Sequence, residues 1–255
     1  MTAGGRARTP TTGRSRGRPA IGAKTATVVS VPPLPATPPT PKGRRTQSAL
    51  VRAARGVFAR DGFVDARIAD IADQAGVAHG TFYSYFESKE QIFRAVINEL
   101  ELDLAKSRLR PNNDAPPADR IEEANRHYLR TYRDNAALFA TLEQAATLSH
   151  ELRLLRKEGR TPLVARAERA IRHWQESGLA DPSLDARYAA NALGNMVDRF
   201  AYVWFVLGED FEEETAVSTL TRLWVQAIGL DRPHSAAAAR RRPGPVRPLR
   251  QRRAR

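Results

Sequence analysis

Apolar residues recur at helical spacing along most of the chain, and the breaks between these runs define its elements. From about residue 46 to residue 60, Leu50, Ala54, Val57 and Phe58 form one stripe, which Asp61-Gly62 is expected to end. Ile68, Ile71, Ala72 and Ala75 then recur at i, i+3, i+4 and i+7, the spacing of one helix face. That run stops at Gly76, a residue able to adopt the left-handed conformation that ends a helix and opens a sharp turn. Val77 is expected to point back into the core. A short helix over residues 78–85 follows, with Phe82 and Phe86 on one face and His79, Thr81, Tyr83 and Ser84 outside. Ser88-Lys89-Glu90-Gln91 reads as a capping box, with Ser88 as cap and Gln91 reaching back. The helix it opens carries Ile92, Phe93, Val96, Ile97, Leu100 and Leu104, and is expected to end near Arg110-Pro111.

After the Pro111 to Pro117 break, helical patterns run over about residues 118–133, 136–147, 151–177, 184–207 and 212–228. Pro162 is expected to kink or split the third of these, with Gly159 marking a further break. No alternating strand pattern occurs, so the fold class is all-α. The last two patterns are apolar on more than one face, through Leu193, Met196, Val197, Phe200, Trp204 and Leu207, then Val217, Leu220, Leu223 and Trp224. One face fills a core and the surplus calls for another cover, which predicts a two-fold homodimer through a four-helix interface.

Composition sets limits on this picture. The 255 residues contain no cysteine, which excludes disulfides and thiolate metal sites and fits a reducing cytoplasm. The longest apolar run, Phe200 to Gly208, is far short of the ~20 residues of a membrane span, so a soluble, cytoplasmic protein without a membrane partner is expected. The net charge of +13 is uneven: residues 1–45 hold nine Lys or Arg and residues 232–255 nine Arg, neither with an acid. The part between is mildly acidic, and the basic tails point to an anionic polymer. Residues 1–45 and 231–255 are expected to be disordered. Within the first tail, Arg16-Gly17-Arg18 has the chemistry to enter a narrow A·T minor groove. No nucleophile elbow, P-loop or dinucleotide fingerprint occurs, and the five histidines lack metal-like spacing, so no enzyme, cofactor or metal site is expected.

Two helices joined by a tight turn, with small Ala72 where they cross, read as a helix-turn-helix whose second helix enters the DNA major groove. The run IADQAGVAHGTFYSYFESKEQIFRAV from Ile71 to Val96 resembles the DNA-binding signature of the TetR/AcrR family of bacterial repressors. The resemblance implies a three-helix helix-turn-helix DNA-binding domain over residues 46–95 and a helical ligand-binding and dimerisation domain over residues 96–230. It implies contact with double-stranded DNA through the helix that starts at Ala78, with His79, Gly80, Thr81 and Ser84 as candidates for base contact or close approach, and Tyr83, Tyr85 and Lys89 at positions that hold phosphates. Arg67 departs from the Thr or Ser usual in the family at the start of the second helix; either Asp65 takes over the cap or Arg67 itself reaches a phosphate. By the same resemblance, Tyr128, Tyr132, Phe139, Trp174, Asn195, Asp198 and Trp204 lie on helices around an inducer cavity, favouring a small, mainly apolar effector. The reading is a homodimeric repressor that binds a palindromic operator and is released by that effector. The alternative is an architectural DNA-coating protein dominated by its basic tails.

Overall fold

The computed structural model describes residues 33–105, 115–148 and 150–231. Among them the regular structure is helical, without a strand, in the order α1 (Pro41–Asp65), α2 (Ile68–Gln74), α3 (His79–Tyr83), α4 (Lys89–Ala105), α5 (Pro117–Asp134), α6 (Ala136–Leu148), α7 (His150–Glu176), α8 (Ala186–Phe205) and α9 (Glu213–Ala227).

The first helix begins earlier than residue 46, where the apolar stripe starts. The Thr40 hydroxyl accepts the Gly43 N–H at 3.0 Å, and Pro41 occupies the first turn, where its missing donor has no helical partner to lose. Residues 41–45, read from the sequence as part of a disordered tail, therefore belong to α1. The arm before it is also held: Arg44 Nη1 donates to the carbonyls of Pro38 (3.3 Å) and Pro39 (2.8 Å), and Gln91 Nε2 donates to that of Pro33 (2.9 Å). Arg16, Gly17 and Arg18 lie outside the described residues, as do the C-terminal arginines from residue 232 onward and the expected end of α4 near Arg110. The expected stop at Asp61-Gly62 is a break within α1, where Gly62 leaves helical geometry (φ 73°, ψ −177°). One further turn then brings Phe63 against Phe58 (centroids 6.0 Å apart) and Phe93 (5.0 Å).

Neither Gly159 nor Pro162 splits α7, which runs unbroken from His150 to Glu176. Gly159 instead marks a close approach: a β-carbon there would lie 2.2 Å from Glu101 Oε1 on α4. The core is continuous from Leu50, Phe58, Phe82 and Phe93 in the N-terminal unit to Leu129, Tyr132, Ile171 and Val217 in the larger helical one. The two parts meet where α6 packs on α1, with Thr141 Oγ1 donating to the Phe58 carbonyl at 3.1 Å. Arg55 donates to Asn135 and lies 3.7 Å from Asp103.

Candidate nucleic-acid interface and helical-domain cavity

The turn between α2 and α3 is closed by backbone geometry that the sequence announces. Gly76 has φ 69°, its N–H donates to Asp73 O at 3.0 Å, and the Val77 N–H donates to Ala72 O at 3.0 Å. This is the pattern of a helix ended by a left-handed residue, and a β-carbon at position 76 would make that conformation costly. Val77 packs partly buried on the core, as expected. Ala72, at 0 % exposure, lets the two helices approach.

Helix α3 is then anchored from one side only. Phe82 and Phe86 are buried, while Ala78, His79, Gly80, Tyr83 and Ser84 are exposed and Thr81 and Tyr85 are half-buried. The helix is shorter than the 78–85 span, with Ala78 as its N-cap and Ser84 as its C-cap. The His79 and Tyr83 rings pack edge to face at 5.5 Å, which presents them together. Thus the sequence-predicted base-contact residues share one open face, bearing hydroxyl, imidazole and phenol groups able to meet base edges and phosphates.

One expected phosphate contact, Lys89, is placed otherwise than the sequence suggested, and of the two readings of Arg67 the Asp65 cap is not formed. Arg67 is the N-cap of α2 and makes no side-chain cap bond; Asp65 does not take that role either, leaving the first turn uncapped by a side chain and Arg67 exposed beside it. Lys89 turns inward: its Nζ donates to the carbonyls of Val64 (3.0 Å) and Ala66 (3.1 Å) and sits 4.9 Å from the centre of the Phe63 ring. The ammonium thus satisfies carbonyls at the end of α1, where a cation also complements the helix dipole. The capping box forms with one shift: Ser88 Oγ accepts the Gln91 N–H (3.2 Å), but Gln91 Oε1 accepts the N–H of Glu87 (2.7 Å) rather than that of Ser88.

In the larger unit, α5, α7, α8 and α9, with Leu104 of α4, line a half-open cavity of about 190 Å³ with mainly apolar walls. Of the residues expected there, Tyr128, Trp174 and Asp198 line it. Tyr132, Phe139 and Trp204 do not: Tyr132 stacks on Phe139 at 4.0 Å, and Trp204 stacks on Phe205 at 4.3 Å. Asn195 is exposed and donates to the Asn191 carbonyl at 2.8 Å. The sequence reading missed Arg120, Asn125, Leu163, Ala167, Gly194 and Trp224, all of which contribute to the wall. The void exists because Ala167, Ala170, Ala190 and Gly194 face it, and that cluster of small residues at helical spacing was the available signal.

A polar chain leads from this cavity toward the N-terminal unit. The Tyr128 hydroxyl donates to Asp198 Oδ1 at 2.6 Å, Asp198 Oδ2 accepts from Arg156 at 2.8 Å, and Arg156 also pairs with Glu143 on α6, the helix that packs on α1. Burial and then the Asp198 carboxylate push the Tyr128 hydroxyl well above the ordinary tyrosine range. At Arg156 burial acts against the charge, but Asp198 and Glu143 outweigh it and keep the guanidinium protonated. At the other end of the wall, the Arg120 guanidinium lies over the Trp174 ring at 5.6 Å.

No helix among the described residues is long and apolar enough to cross a membrane. Residues 50–96 match the model of bacterial regulatory proteins of the tetR family, and residues 121–229 match that of the C-terminal domain of the transcriptional regulator EthR. The chain is 26 % identical to EthR of Mycobacterium tuberculosis over 205 residues, covering 74 % of this chain and 93 % of that protein. It is 30 % identical to the regulator BetI of Cronobacter sakazakii over 185 residues, covering 68 % and 86 %. Solved structures with the same fold include FadR from Bacillus subtilis in complex with stearoyl-CoA (TM-score 0.64, 21 % identity, 71 % of this chain and 98 % of that one). AibR in complex with isovaleryl coenzyme A and operator DNA is another (TM-score 0.53, 19 % identity, 70 % and 97 %). The one-sided anchoring of α3, the capped α4 behind it and the helical unit that follows thus stand in the order these matches share: the chain belongs to the TetR family of DNA-binding transcriptional regulators.

Proposed function

We propose that the protein is a homodimeric repressor that reads a palindromic operator through α3 and is released when a small, mainly apolar effector fills the helical-domain cavity. The observation that carries this reading is the open face of α3, where His79, Gly80, Tyr83 and Ser84 are exposed while Phe82 and Phe86 fix the helix from behind. His79, Thr81 and Ser84 are assigned to base edges and Tyr83, Tyr85 and Arg67 to phosphates. Dimerisation is supported by large apolar side chains left open along and beside α8 and α9: Tyr188 (76 % exposed), Leu207 (58 %) and Leu223 (44 %). Two copies joined there place two reading helices on the two halves of a symmetric site.

The effector reading is supported by the cavity itself and by two regulators of this fold that were solved with acyl-CoA ligands, stearoyl-CoA in FadR and isovaleryl coenzyme A in AibR. Release requires that the effector bind better to a conformation whose heads no longer match the operator. Helix α4 is the direct link, since Leu104 lines the cavity and Lys89, at the other end of the same helix, holds the last turn of α1. The test is substitution on the α3 face: His79→Ala is expected to change which DNA sequences are preferred, at a cost of about 1–3 kcal/mol on the wild-type site. Equal losses on the preferred site and on scrambled DNA, measured by fluorescence anisotropy, would contradict the role given to His79.

A further inference from the structure

Among the described residues, two buried side-chain nitrogens have no hydrogen-bond partner: Arg94 Nε and Trp224 Nε1. The first belongs to a guanidinium that already donates to Glu158 at 2.9 Å. Trp224 has no such outlet. It is 8 % exposed, lies in the wall of the cavity, and carries a single polar atom that can only donate. A buried indole N–H normally finds an acceptor, and leaving it without one forfeits its hydration for nothing in return.

Resting on the effector reading above, we infer that the cavity takes a small apolar molecule carrying one neutral carbonyl oxygen, and that this oxygen accepts the Trp224 indole N–H. A carbonyl is acceptor-only and so complements a donor-only group. A hydroxyl would bring a proton of its own, and the carboxylate among the lining residues, Asp198, already accepts from Tyr128 and Arg156. The cavity is half-open, so its volume sets a lower limit on the occupant: about 190 Å³ is slightly more than the ~150 Å³ of a cavity that holds benzene. A single ring or a short branched acyl group fits without rearrangement. The class is therefore a small ketone, ester, thioester or tertiary amide.

Acetophenone and α-methylstyrene test this on the full chain, because they have nearly the same shape and differ in C=O against C=CH2. Calorimetric titration is expected to show acetophenone binding about three- to tenfold more tightly to the wild type, the worth of one neutral hydrogen bond. Trp224→Phe keeps the ring, removes the donor and is expected to bring the two affinities together. In the wild type, one of the three indole N–H proton resonances is expected to move downfield with acetophenone and to stay in place with α-methylstyrene, a readout that does not depend on the variant folding. Equal affinities in the wild type, a preference that survives in Trp224→Phe, or failure of both probes to bind would overturn the inference. DNA release is measured separately: a carbonyl preference without any change in DNA affinity would leave this inference standing and overturn the effector role of the cavity.

Discussion

Lys89 joins a sequence signature to the packing of the reading head. Its family resemblance points to a phosphate, whereas its ammonium is bound to the Val64 and Ala66 carbonyls and lies over Phe63. Lys89→Ala is therefore expected to lower folding stability by about 1–2 kcal/mol, through two charge-assisted bonds that are partly open to solvent. Thermal unfolding followed by circular dichroism checks this; a melting temperature unchanged from the wild type would show that the clamp carries no stability. Exposed His79, by contrast, is expected to shift stability by no more than about 0.5 kcal/mol when truncated. The reading face was legible at this scale, because Phe82 and Phe86 at a spacing of four fix which residues face outward. The cavity was less so: Tyr132, Phe139 and Trp174 are large residues on helical stripes, and the pattern is the same whether a ring meets another ring or a void. What separates them is the size of the residues opposite, and for Trp174 on α7 the small residues Ala190 and Gly194 come from α8.

At the scale of elements, α4 and α7 show what local pattern does not contain. Pro162 and Gly159 are breakers by propensity, yet packing keeps α7 whole, and Gly159 admits the side chain of Glu101 from α4. Burial, followed by the nearby Glu158 carboxylate, raises the pKa of Glu101, with Arg94 acting in the opposite sense. The folded state thus holds this proton more tightly than the unfolded chain does. Its contribution is fully present below the unfolded pKa and is lost as pH rises through the folded one. Glu101→Gln is expected to raise the melting temperature at neutral pH and to lose that advantage in mildly acidic buffer. An equal effect at both pH values would remove the titration of Glu101 from this account. The end of α2 and the start of α4 were readable from Gly76 and Ser88, because cap and turn chemistry is local. The start of α1 was not, since Thr40-Pro41 sits inside a proline-dense stretch whose composition reads as linker.

For the molecule as a whole, the all-α fold and its two-part order were legible, because helical periodicity persists over the entire folded length. The contact between the parts was not, since Arg55 with Asn135 and Thr141 with Phe58 join positions far apart in sequence. The basic charge is concentrated in the tails, away from α3. Residues 1–32 hold six Lys or Arg without an acid, and the arm that follows is fastened by Gln91, the capping residue next to the reading helix. On the proposed function, a tail attached there would add sequence-independent attraction at the DNA surface, and α3 would carry the sequence preference. The most direct test is selection of bound DNA from a random pool, at about physiological salt, with the full chain and with a chain of residues 33–231. The predicted result is one two-fold-symmetric site enriched by both, with weaker binding and a shallower salt dependence for the shorter chain. Enrichment of merely A·T-rich DNA by the full chain, with none by the shorter one, would contradict the claim that α3 is what reads the operator.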